Sequence, residues 1–229
     1  IRKWHSSKKK MILVGVNPPN CVQEIYLKLI AEDSSVIVLT ETTSNLHHPN
    51  FFGSIDQLIT PLAPIDFEAL QPDVLLTFGG MIVSKKIKTF LRNNPPKTHW
   101  HVDEIQANDT FFCLTKHYKC SVNIFFEQLH ASMDSFPEST YFNTWNHVKI
   151  RRLQKHKKYL NSIPFSDFKA FDRILKLIPN NYMLQSGNSS TIRYLQLFEL
   201  NPTLNVFCNR GTSGIDGSTS TAIGAALIS

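Results

Sequence analysis

The sequence lacks the cysteine pairs of a zinc or redox centre: Cys21, Cys113, Cys120 and Cys208 form no C-x-x-C and no metal-type spacing. They are expected to be buried, reduced thiols of a cytoplasmic protein. No apolar run approaches the roughly 20 residues that cross a bilayer. Ile1-Arg2-Lys3-Trp4 leads straight into Lys8-Lys9-Lys10 without the apolar segment of a signal peptide, so no membrane partner is expected. The G-x-G-x-x-G fingerprint is missing after the first apolar run, which weakens a nucleotide-binding reading. No Ser-His-Asp or Cys-His arrangement can be proposed from residue order. His47-His48 has no carboxylate or cysteine partner at recognisable spacing and reads as a loop, so no metal ligand is assigned. The net charge of +6 gathers at residues 8–10 and 149–158 without interleaved aromatics. Such runs are expected to be solvated faces or linkers, and no nucleic-acid partner is expected.

What is present is a globular composition, 42% hydrophobic over 229 residues, enough for one large or two modest domains. Apolar runs at 11–16, 36–39, 73–78, 98–103 and 111–114 read as buried strands. Helical spacing over 21–32, 83–91 and 122–129 alternates with them, and the Pro-rich stretch 58–70 reads as irregular. The expectation is a doubly wound, mostly parallel α/β domain over residues 1–137, with ligands at the carboxyl ends of its strands. A connecting helix is expected within 138–161. A second α/β unit over 162–229 then offers helices at 166–177 and 192–198 and strands at 182–185 and 204–208. It reaches Ser229 inside a further helix and is too small to close a core by itself. The chain opens in a basic segment without methionine, which reads as a piece of a longer protein.

Three loops at strand ends carry groups suited to anions. Ser186-Gly187-Asn188-Ser189-Ser190 precedes Arg193, so a hydroxyl and a guanidinium stand close together in sequence. Asn209-Arg210-Gly211-Thr212-Ser213-Gly214-Ile215-Asp216-Gly217 sets one arginine and one aspartate among three glycines, one strand later. Gly79-Gly80 leads to Lys85 and Lys86. From spacing alone these loops read equally well as ordinary strand–turn–helix joints with surface cations. Glu127 and His130, an i, i+3 step apart, read as a surface pair.

Gly187-Asn188-Ser189-Ser190-Thr191-Ile192-Arg193 and Asn209 through Gly217 resemble the G-N-S-x-x-x-R and N-R-G-x-S-G-I-D-G signatures of one thiamine-diphosphate family. That family is 2-succinyl-5-enolpyruvyl-6-hydroxy-3-cyclohexene-1-carboxylate synthase of menaquinone biosynthesis. Residues 73–86 and His101-Val102-Asp103 resemble its central domain. The resemblance implies a fragment holding the Rossmann-like central domain and the beginning of the diphosphate-binding domain. The intact parent is then a homo-oligomeric transferase, a dimer or tetramer, that uses thiamine diphosphate and Mg²⁺. It decarboxylates 2-oxoglutarate and adds the succinyl carbanion equivalent to isochorismate. Arg193 and Arg210 are implied as catalytic residues, with Arg210 pairing a substrate carboxylate. Ser189, Lys85 and Lys86 are implied to bind substrate, Lys86 standing where the family usually has arginine. Ile215 is implied as the apolar wedge against the cofactor, with Ser213 beside it. Asp216 takes no metal role. The cofactor-activating glutamate and the Mg²⁺ ligands are expected outside these residues, so the fragment is expected to be inactive and to bind no cofactor. Two other readings are another thiamine-diphosphate enzyme, of the acetolactate synthase or 2-oxoacid decarboxylase type, and a noncatalytic ligand-binding α/β module.

Overall fold

The computed structural model describes residues 1–132 and 135–228. Ser229, where the sequence reading places a helix, lies outside the described residues.

Five short runs form one parallel sheet: β1 (Lys10–Val14), β2 (Val36–Thr40), β3 (Val74–Phe78), β4 (Thr98–Val102) and β5 (Lys116–Tyr118), in the order β2-β1-β3-β4-β5. Every residue of the first three strands is buried, as a strand covered on both faces requires. The helices of this unit are α1 (Arg2–Ser6), α2 (Glu24–Glu32), α3 (Ile55–Ile59), α4 (Pro64–Leu70), α5 (Lys85–Asn93) and α6 (Val122–Ala131), followed by the long α7 (Tyr141–Ser162). Successive strand residues face opposite sides, so they feed two apolar layers. Ile12, Val14, Val38 and Leu76 pack with Trp4 of α1 and with Phe125 and Phe126 of α6. Met11, Leu13, Ile37 and Leu75 pack with Ile55 of α3, Phe90 of α5 and Trp145 of α7. This is the doubly wound α/β architecture that the sequence predicts.

The second unit holds α8 (Asp167–Leu175), β6 (Met183–Ser186), α9 (Ser190–Leu195), β7 (Asn205–Cys208) and α10 (Ser218–Ala226), with β6 and β7 paired in parallel. It leans on the first. Val83, which follows β3 in the first unit, shares an apolar cluster with Ile192 and Leu195 of α9. Among the described residues no helix is long and apolar enough to cross a membrane.

Four local expectations are corrected. Residues 58–70 are not irregular: Pro64 occupies the first turn of α4, where a missing N–H is harmless, and the Asp66 carboxylate accepts the Ala63 N–H at 2.8 Å. Residues 111–114 form a turn instead of the last strand, because Asp109 Oδ1 accepts the N–H groups of Cys113 and Leu114 and Phe112 takes a φ of 59°. The edge strand is Lys116–Tyr118. Within the basic run 8–10, Lys10 is no solvated charge but is wholly buried against Asp33, Nζ to Oδ2 at 2.6 Å. Glu127 and His130 do not pair; the half-buried His130 ring stacks on Tyr26 with centroids 6.0 Å apart. The four cysteines are unbridged and half-buried.

Candidate functional site

The three loops singled out in the sequence are linked through one side chain, Arg210, which reaches Asn188 of the β6 loop and Met81 of the β3 loop. After β6 the chain turns at Asn188, which is buried, and Ser189, with φ 62° and ψ −123°, opens α9. The Asn188 amide organises the loop that follows β7. Its Nδ2 donates to the carbonyls of Asn209 at 2.5 Å and Gly214 at 2.7 Å, and its Oδ1 accepts from Arg210 Nη1 at 2.8 Å. Arg210 Nη2 lies 3.7 Å from the sulfur of Met81. One guanidinium therefore spans the β6 loop, the β7 loop and the β3 loop, and its buried Nε has no partner among the described residues.

The lysine pair stands in an unusual place. Lys85 and Lys86 fill the first turn of α5, where no acidic residue is present and where the helix dipole disfavours cations. Both are exposed, and among the described residues their ammonium groups have no hydrogen-bond or ion-pair partner. One turn on, Lys88 is half-buried; burial pushes its ammonium below the ordinary lysine value, Glu41 opposes this, and Arg210, Arg92 and Lys85 add to it. Lys88 lines a cavity of about 360 Å³ with Gly79, Gly80, Met81 and His101. A larger cavity of about 560 Å³ lies away from these motifs between the end of β2 and α7. Its cation, Lys149, is already spent on the carbonyls of Pro49 and Phe51.

The remaining residues predicted from sequence are placed less centrally. Ser189 and Arg193 are exposed on α9, and the Arg193 guanidinium has no hydrogen-bond or ion-pair partner among the described residues. Ser213, at φ 58°, donates a long hydrogen bond of 3.4 Å to the Arg210 carbonyl. Ile215 is 61% exposed on the same loop. Arg210 and Asn188 are thus joined directly, while Arg193, Lys85 and Lys86 make no side-chain hydrogen bond or ion pair with either among the described residues.

Sequence reasoning missed Glu41, Asn188 and Lys88. Glu41 is buried at the end of β2, its Oε2 and Oε1 accepting the N–H groups of Val83 and Ser84 at 2.6 Å each. Burial pushes its carboxyl up to about 7 against those two donors and Lys88, with Asp56 assisting the rise. The signal available was a carboxylate two residues past the apolar run 36–39, at the end of a strand buried on both faces, a position where it cannot stay uncompensated.

The crevice between β1 and β3, where this strand order changes direction and ligands often bind, is filled by main chain. Gly80 N–H donates to Val16 O at 2.8 Å, and a Cβ on Gly15 would meet Gly80 O at 2.0 Å. That opposes the nucleotide-module reading. For a thiamine-diphosphate cofactor the fit is partial: the uncovered Ile215 and the Ser218 hydroxyl at the start of α10, which has no hydrogen-bond partner among the described residues, offer one edge of a site. Among the described residues there is no cluster of three His, Cys, Asp or Glu side chains that could hold a metal.

Residues 1–184 match the sequence profile of the family described as the middle domain of thiamine pyrophosphate enzymes. Curated relatives named 2-succinyl-5-enolpyruvyl-6-hydroxy-3-cyclohexene-1-carboxylate synthase are similar over almost the whole chain. The protein of Flavobacterium johnsoniae is 53% identical across 98% of this chain and 40% of its own length. That of Flavobacterium psychrophilum is 52% identical across 100% and 42%, and that of Porphyromonas gingivalis 33% identical across 98% and 40%. The chain therefore spans about 40% of the length of these relatives. A matched profile covering most of the sequence, on a doubly wound sheet of the expected class, places this chain in the thiamine-pyrophosphate middle-domain family.

Proposed function

We propose that this chain is the central domain and the beginning of the diphosphate-binding domain of a 2-succinyl-5-enolpyruvyl-6-hydroxy-3-cyclohexene-1-carboxylate synthase. The proposed division is 1–137 for the central domain, 138–161 for the connecting helix and 162–229 for the last unit. The parent is a homo-oligomeric transferase of menaquinone biosynthesis working in the cytoplasm, a compartment with which four unbridged cysteines agree. The names of the relatives support the reaction. The observation that carries it to particular residues is Arg210, joined to Asn188 and leaning on Met81 beside a lysine pair with no anion of its own.

Both proposed substrates, 2-oxoglutarate and isochorismate, are dianions. Arg210, held by Asn188, presents a planar fork to one carboxylate, and Arg193 stands ready on α9 for another. Lys85 and Lys86 supply mobile point charges from across the interface, with Ser189 as hydroxyl donor. When bound, thiamine diphosphate would supply the electron sink for decarboxylation, with Mg²⁺ proposed as its companion in the intact parent. The role of Ile215 is to press its uncovered side chain against the cofactor, with Ser213 fixing the loop behind it. By itself this chain is proposed to be inactive.

The test is turnover by the full-length protein. Product from 2-oxoglutarate and isochorismate, dependent on thiamine diphosphate and Mg²⁺, is expected, with Arg210→Ala losing at least a hundredfold in kcat/KM. No product would sink the reading. Turnover of pyruvate without isochorismate would favour an acetolactate synthase or decarboxylase.

A further inference from the structure

Glu41 through Asn45 form a short turn at the end of β2. It is fastened to the first sheet on its inner side. Glu41 N–H donates to Ser44 Oγ at 3.0 Å, the Ser44 hydroxyl donates to Val14 O at 2.8 Å, and Asn17 N–H donates to Thr43 O at 3.0 Å. Glu41, Thr43, Ser44 and Asn45 are all buried. A turn tied to two strand ends behaves as part of the sheet.

On its outer side the same turn grips both halves of the candidate site. At one end, the Glu41 carboxylate holds the N–H groups of Val83 and Ser84, directly before Lys85 and Lys86. The Ser84 hydroxyl caps α5 by accepting from Ile87 N–H at 3.1 Å and donates to Asp56 of α3. Val83 sends its side chain into the cluster with Ile192 and Leu195 of the helix that bears Arg193. At the other end, Asn45 pairs with both main-chain groups of Val206 in β7, three residues before the loop that begins at Asn209 and carries Arg210.

We propose that the Glu41–Asn45 turn is a positioning element: it sets the separation between the lysine pair of α5 and the arginines of α9 and the β7 loop, and so the length of dianion the site accepts. This rests on the function proposed above. The argument is geometric. Cationic groups on opposite sides of an interface can meet two carboxylates of one molecule only at a fixed spacing, and mispositioning by about 1 Å can cost on the order of a hundredfold. Here a single five-residue segment contacts the backbone on both sides.

The test uses the full-length protein and a series of 2-oxo dicarboxylates: oxaloacetate, 2-oxoglutarate and 2-oxoadipate. Glu41→Gln and Asn45→Ala are each expected to raise KM for 2-oxoglutarate about tenfold, with kcat within about threefold. Preference for 2-oxoglutarate over its shorter and longer analogues is expected to fall at least fivefold. Val83→Ala, which keeps the turn and its hydrogen bonds, is expected to give a weaker form of the same pattern and serves if the other variants fold poorly. Unchanged KM and unchanged length preference, or a fall in kcat that follows lost folded protein alone, overturns the proposal. Hydrogen exchange on the same full-length variants gives a readout independent of activity. Glu41→Gln should speed exchange at Val83, Ser84 and along α9 together, and acceleration confined to Val83 and Ser84 also overturns the proposal. Wild-type protein inactive on 2-oxoglutarate defeats the functional reading; an active wild type with unaltered variants defeats only the positioning role.

Discussion

The Asn45 side chain acts as a one-residue strand edge for Val206: its Oδ1 accepts the Val206 N–H at 2.8 Å and its Nδ2 donates to the Val206 carbonyl at 3.0 Å. The same Nδ2 also donates to Asn17 O at 2.9 Å. Asn45→Asp keeps the shape but sets a carboxylate against two buried carbonyls. It is expected to lower stability by about 2–4 kcal/mol, read as a lower urea midpoint. Asn45 sits at φ 49°, so Asn45→Gly removes the amide while accommodating the backbone, and should cost less than the aspartate variant. An aspartate variant as stable as the parent would show that the amide pairing is unimportant.

The buried pair Lys10–Asp33 gives a second stability test. Asp33 keeps two further partners, the Ser35 N–H at 2.9 Å and the Ser35 hydroxyl at 2.5 Å, whereas the Lys10 ammonium otherwise has only the Trp4 ring, 5.3 Å away. Asp33→Ala should therefore cost about 3–5 kcal/mol by stranding a buried cation. Lys10→Met should cost less, and Lys10→Met with Asp33→Ala less than Asp33→Ala alone. Denaturant unfolding of the three variants decides it; strictly additive costs would rule the coupling out.

Two buried groups pull the pH dependence of stability in opposite directions. The Glu41 carboxyl stands at about 7 against an ordinary 4.5, chiefly through burial, with Asp56 and Lys88 the charges facing it. The folded protein binds more protons there, so stability falls as pH rises from 4.5 to 7. The His99 ring, buried with its Nε2 2.9 Å from Thr77 Oγ1, stands at about 4 against 6.5, chiefly through burial, with Asp109 and His101 as its charged neighbours. The folded protein binds fewer protons there, so stability falls as pH drops from 6.5 to 4. Each swing is of order 3 kcal/mol, and they oppose each other between pH 4.5 and 6.5. Stability difference curves against the parent should rise with pH for Glu41→Gln and fall with pH for His99→Asn. Flat difference curves would contradict both assignments.

Two glycines provide a contrast in backbone space. A Cβ on Gly15 would lie 2.0 Å from Gly80 O, which is main chain and cannot step aside, whereas Gly224 has open space inside α10. Gly15→Ala should destabilise by more than about 2 kcal/mol, and Gly224→Ala should stabilise by roughly 0.5–1 kcal/mol. Thermal midpoints that move in the same direction would contradict this reading.

The sheet was legible in the sequence because β1, β2 and β3 are buried on both faces and so appear as unbroken apolar runs. The edge was not: Lys116-His117-Tyr118 is half solvated, while the more apolar Phe111 packs from a turn held by Asp109. Helix α4 was hidden because proline was read as a breaker where it serves as a helix start. Arg210 was visible through its motif. Glu41 shows in the sequence only as a carboxylate just past an apolar run; its partners, Val83 and Ser84, lie 42 and 43 residues away and offer main-chain N–H groups, which no residue pattern records. Lys10 was hidden for the mirror-image reason: a lysine run looks solvated until the carboxylate that neutralises one member is placed beside it.

The contact of Gly15 with Gly80 closes the mouth of the sheet with two peptide planes. A plug of side chains could be pared away one substitution at a time, but here every replacement adds atoms to a place already full. Opening this crevice demands a different route for the loops after β1 and β3, so drift by point mutation cannot easily turn the domain into a nucleotide carrier.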